Sequence, residues 1–60
     1  MMKFEVAIEG EKFEYDTFAE AKEKYDSLFA EGYWEVVMRL YYEGKTLFYN
    51  RSAYAFFPTY

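Results

Sequence analysis

Sixteen of the 60 residues are aromatic (eight Tyr, seven Phe, one Trp), and none is His or Cys. A domain of this size hides only roughly 60% of the surface that its unfolded chain exposes, so small folds usually add disulfides, a metal or a partner. The absence of Cys excludes disulfides, and the absence of His and Cys removes the usual metal ligands. The core must then come from Tyr, Phe and Trp, which hide large apolar areas behind few rotatable bonds. The same absences bear on function. His and Cys carry most acid–base and nucleophilic chemistry at neutral pH, so the chain is rich in residues that bind and poor in residues that react. The expectation is a single domain over residues 1–60 that is no enzyme, with no catalytic residue, no cofactor and no metal.

Hydrophobic periodicity gives the elements. Phe4, Val6 and Ile8 alternate with polar neighbours, and Phe13 and Tyr15 resume the alternation after Gly10; this reads as a hairpin. A turn at Gly10-Glu11 puts Gly where φ > 0 is needed and sets Ile8 opposite Phe13. Thr17-Phe18-Ala19-Glu20 then fits a capping box. Phe18, Ala21, Tyr25, Leu28 and Phe29 follow at helical spacing, Glu20–Lys24 is a favourable i, i+4 pair, and Gly32 supplies the stop. Residues 33–43 alternate again: Trp34, Val36, Met38, Leu40 and Tyr42 belong under the helix, and Tyr33, Glu35, Val37, Arg39 and Tyr41 face the other way. After Glu43-Gly44-Lys45 comes a further strand. A two-residue loop there sends Leu47 and Tyr49 to the core and Phe48 outward; a three-residue loop with a bulge exchanges them. Residues 50–60 read either as a continuation of this strand, which the aromatics favour and Pro58 ends, or as a short helical turn capped by Ser52.

Hairpin, helix, hairpin is an α+β fold of ββαββ type. A right-handed crossover leaves room for the first strand between the second and third, giving an antiparallel four-stranded sheet of order 2-1-3-4 with one helix on one face.

Eleven acidic residues against seven basic leave a net charge of −4, and nine of the eleven precede Gly32. An acidic chain lacks the basic footprint with which nucleic-acid binding begins; the charge serves to keep a Tyr-rich protein in solution. No apolar run nears the roughly 18 residues of a membrane span, and the Met-Met-Lys start is not a signal peptide. The expected setting is the cytoplasm, away from the membrane.

One helix covers one face of a sheet. The other face is expected to carry Tyr33, Val37, Arg39, Tyr41, Phe48 and Tyr54, an aromatic patch of the kind that marks a contact surface; the expected partners are a second copy of the chain, paired through this face or edge to edge through the last strand, and another protein. Glu9, Glu11 and Glu14 near the first turn offer an acidic rim against a basic partner. The alternative from another class is a single-strand-binding module, with these aromatics as stacking platforms and Arg39, Lys45 and Arg51 for phosphates.

Residues 13–37, with the Asp-Thr-Phe-Ala-Glu-Ala cap running into the helix and then Glu-Gly-Tyr-Trp-Glu-Val, resemble small acidic accessory proteins encoded by bacteriophages. The resemblance implies a non-catalytic inhibitor of a host enzyme or defence protein, built from a sheet and one helix. It carries no functional residue with it.

Overall fold

Period-two alternation near the start of the chain becomes β1 (Met2–Ile8) and β2 (Glu11–Tyr15), followed by α1 (Phe18–Ala30), β3 (Val37–Tyr42), β4 (Lys45–Asn50) and β5 (Ala55–Phe57). These are the elements of a computed structural model that describes residues 2–58; Met1, Thr59 and Tyr60, hence the chain start and the end of the expected 50–60 tail, lie outside the described residues. The sheet is antiparallel with order β2-β1-β3-β4-β5, and α1 packs against β1, β2 and β3. The α+β class and the 2-1-3-4 order are those expected from the sequence. A fifth strand is added: residues 51–54 turn the chain back before it can continue β4, so the tail forms a new edge strand instead of an extension.

The helix begins where its cap allows. Thr17 is extended (φ −125°, ψ 151°), and its Oγ1 accepts from the Glu20 backbone N–H at 3.3 Å. The same hydroxyl donates to Glu20 Oε1 at 2.9 Å. At the other end Gly32 takes φ +107°, Gly32 N–H bonds Phe29 O and Tyr33 N–H bonds Leu28 O. This pair of bonds is a Schellman closure, which satisfies carbonyls the helix leaves open.

The two hairpin turns resolve differently. In the first, Ile8 faces Glu11 and Val6 faces Phe13, so the loop is Glu9-Gly10 and not Gly10-Glu11. Gly10 alone takes a left-handed φ (+85°), so Glu9 is spared a positive φ in this turn. The register differs from the expected one by two residues, which leaves each side chain on its face. In the second, Tyr42 faces Lys45 across the two-residue loop Glu43-Gly44, both at positive φ (49° and 78°), as a type I′ turn requires. This sends Leu47 and Tyr49 toward the helix and Phe48 away from it.

The core forms between helix and sheet from Phe4, Val6, Ala21, Tyr25, Leu28, Val36, Met38 and Tyr49. Aromatic rings bind its two ends together. Tyr49 lies edge-on to Tyr25 at 5.3 Å and packs on Phe56 at 5.2 Å, while Phe18 touches Phe4, Tyr49 and Phe56 at about 6 Å. Phe56 ties β5, only three residues long, into this core. Phe18 closes the end of the stripe and stays partly exposed.

Trp34 is the largest departure from the expected core. Residues 31–36 form turns, with Val36 N–H bonded to Tyr33 O at 3.0 Å, and the strand begins only at Val37. Val36 reaches the core, but Trp34 sits on the turn and is 78% exposed. The Schellman closure reverses the chain immediately after Gly32, so extended alternation cannot begin at Tyr33. Tyr42, at the far end of β3, is also exposed. Nor does the Glu20–Lys24 pair form as expected: the ion pair on α1 is Lys22–Asp26 at 2.6 Å, and Lys24 Nζ lies 4.3 Å above the Phe13 ring, covering it with a cation–π contact.

Candidate functional site

Cross-strand register assembles the helix-free face. One row runs Glu14, Glu5, Arg39, Phe48 and Phe57 across all five strands, and Lys3, Tyr41 and Thr46 form the row beside it. Among the described residues no helix or strand packs on this side. The large apolar members are Val37, Tyr41, Phe48 and Phe57, of which Tyr41 and Phe57 are exposed.

The centre of the face is polar and fully engaged. Glu5 lies on the interior strand β1, flanked by β2 and β3, and its side chain is 6% exposed. Arg39 Nη1 donates to Glu5 Oε1 at 2.6 Å, and the Tyr41 hydroxyl donates to the same oxygen at 3.1 Å. Burial raises the Tyr41 phenol above its ordinary 10.0, and the hydrogen bond to the Glu5 carboxylate raises it further, because ionisation would set two negative charges side by side. Lys3 and Glu14 add an outlying exposed pair at 3.8 Å.

The expected interface residues divide between this face and the loops. Val37, Arg39, Tyr41 and Phe48 lie together on it. Tyr33 belongs to the turn after α1, and Tyr54 to the turn between β4 and β5, so neither is on a strand. The expected acidic rim is dispersed: Glu14 is on the helix-free face, Glu11 alternates with it toward the other side, and Glu9 sits in the first turn. Glu5 carries no signal in the sequence beyond being the polar member of an alternating strand. Its position becomes legible only when the 2-1-3 strand order places it opposite Arg39.

A second cluster lies where α1 meets the β4–β5 turn. The Arg51 guanidinium stacks 3.7 Å from the Phe29 ring centroid and 6.0 Å from that of Tyr25, with Nη1 3.7 Å from Asp26 Oδ1. Asp26 Oδ2 accepts from Lys22 at 2.6 Å, and this hydrogen bond is the main reason the Lys22 ammonium is held above its ordinary 10.5. Two of the three cations considered for phosphate contacts, Arg39 and Arg51, are therefore engaged with carboxylates.

Among the described residues no group of three or more His, Cys, Asp or Glu is placed to hold a metal ion, and no helix is long and apolar enough to cross a membrane. The chain matches no protein-family model, no curated protein and no solved structure.

Proposed function

We propose that the protein is a non-catalytic protein-binding module that uses the helix-free face of its sheet, pairing with a second copy of itself and inhibiting a host protein, in the manner of small bacteriophage-encoded inhibitors. The observation that supports this is the composition of the face: Val37, Tyr41, Phe48 and Phe57 surround a carboxylate whose charge Arg39 and Tyr41 already answer. Such a centre can be covered by a partner without stranding a buried charge, the condition that ordinarily makes a charged interface core costly. Five strands about 4.8 Å apart and about six residues long make a face of roughly 24 by 20 Å. That is about 480 Å² of flat area, below the roughly 600–1,000 Å² per partner of stable interfaces, so self-association is expected to be weak, at micromolar concentration or above. The setting proposed is the cytoplasm.

Light scattering across micromolar concentrations is the first test, and a mass near 7 kDa throughout refutes the self-pairing. Tyr41→Glu and Phe48→Glu should each dissociate the dimer. A pull-down from the native host should recover one stoichiometric protein with the parent chain and lose it with both variants. An empty pull-down together with sub-micromolar, salt-sensitive binding of single-stranded oligonucleotides would favour the stacking module instead.

A further inference from the structure

We infer that the cluster around Phe29 is a binding site for the arginine side chain of a partner protein, and that Arg51 occupies it as an internal stand-in. Two clefts, of about 370 and 320 Å³, share Phe29, Tyr49 and Arg51 in their linings. Of the three shared residues Arg51 is the exposed one, so moving it outward opens a floor of Phe29 and Tyr49. The Tyr49 hydroxyl is buried and has no protein hydrogen-bond partner. The two most exposed aromatics of the described chain flank this floor: Trp34 lines one cleft and Tyr54 the other, at 78% and 77% exposure.

The chemistry of the occupant is visible in the structure. Aromatic faces with a carboxylate beside them select a planar cation, and the guanidinium now bound is stacked on Phe29 and paired with Asp26. The net charge of −4 favours the approach of a basic partner. Arg51 is also loosely held. Its ion pair with Asp26 is long, at 3.7 Å, and both side chains are nearly half exposed. The turn that carries it keeps Tyr54 at φ +54° and is braced by one side-chain hydrogen bond, Ala53 N–H to Asn50 Oδ1 at 2.9 Å. A non-glycine residue at that φ is strained, so opening of the turn relieves strain as Arg51 leaves. Lys22 is the opposing charge at the site, and its hydrogen bond to the other oxygen of Asp26 holds it aside. One cleft reaches Phe48 of the helix-free face, but the Arg51–Phe29–Asp26 cluster is built from α1 and the β4–β5 turn, so the inference does not depend on the role proposed for that face.

Trp34 is the sole tryptophan, so its emission on excitation at 295 nm reports the cleft directly. The probe is N-acetyl-arginine amide, with the isosteric, uncharged citrulline amide as control. The parent chain should give a saturable change with the arginine probe and none with citrulline. Arg51→Ala should bind about ten-fold tighter, because it removes a competitor worth one exposed cation–π contact and one exposed ion pair. Asp26→Asn should weaken binding in the Arg51→Ala background. Far-UV circular dichroism confirms that each variant is folded, and Arg51→Gln, which keeps most of the stem, replaces Arg51→Ala if that chain unfolds. An equal response to citrulline, or no tightening on removal of Arg51, overturns the inference.

Discussion

Replacing Arg39 with Met keeps the aliphatic stem but removes the guanidinium from a carboxylate that is 6% exposed. Breaking a buried ion pair by deleting one partner costs about 3–5 kcal/mol, and a single hydrogen bond to a charged group is worth about 1.5–3 kcal/mol. Arg39 is itself 31% exposed, so water enters the space it leaves, and Tyr41 continues to donate to Glu5 Oε1. Both effects pull the loss to the lower range, about 2 kcal/mol. At about 2.1 cal/mol/K of unfolding entropy per residue, that lowers Tm by about 16 °C in a chain of this length. Glu5→Gln leaves an arginine that can turn into solvent, so it should cost about 1 kcal/mol or less. The Glu5→Gln/Arg39→Met double variant removes both charges and should recover most of the Arg39→Met loss. Thermal unfolding of the four proteins at pH 7 and one fixed protein concentration closes the cycle. A fall below about 4 °C for Arg39→Met, or losses that simply add, would show that Glu5 is solvated and that the ion pair does not organise the face.

Tyr49→Phe should leave stability unchanged or raise it, since it removes a buried hydroxyl without a protein partner and keeps the rings of Tyr25, Phe18 and Phe56 packed; a fall in Tm would mean that the hydroxyl is satisfied. Tyr41 should ionise above 10.0, read as the difference in 295 nm absorbance titration between the parent chain and Tyr41→Phe. Its folded value is raised, so the stability it contributes is complete below 10.0 and is lost as pH rises through that folded value. Glu5→Gln should bring Tyr41 only part of the way back, because burial is the larger cause. Tyr54→Gly should stabilise the chain by about 1 kcal/mol, or about 8 °C in Tm, by removing the cost of a side chain at φ +54°; no gain would mean that contacts of the Tyr54 ring offset the strain.

Alternation in residues 4–8, 13–15 and 37–42, the Thr17 cap and the Gly32 stop were enough to determine the α+β class, the extent of the helix, the order of the first four strands and the division of Val6 and Met38 from Arg39 and Tyr41, whereas the face taken by Tyr49 waited on the length of the Glu43-Gly44 loop. These are local properties: a period of two or 3.6, a hydroxyl that caps, a glycine that tolerates positive φ, each acting within a few residues of itself. What depended on partners distant along the chain was decided only in three dimensions. Trp34 has the right spacing for the core, but the Schellman closure two residues earlier turns it outward. The fifth strand exists because Phe56 finds Phe4, Phe18 and Tyr49, all supplied by other elements. Glu5 and Arg39 stand 34 positions apart and meet only through pairing of β1 with β3. Arg51 reads as a free cation until the β4–β5 turn lays it on Phe29. In each case the deciding energy belongs to a contact between elements, and no pattern within one element encodes it.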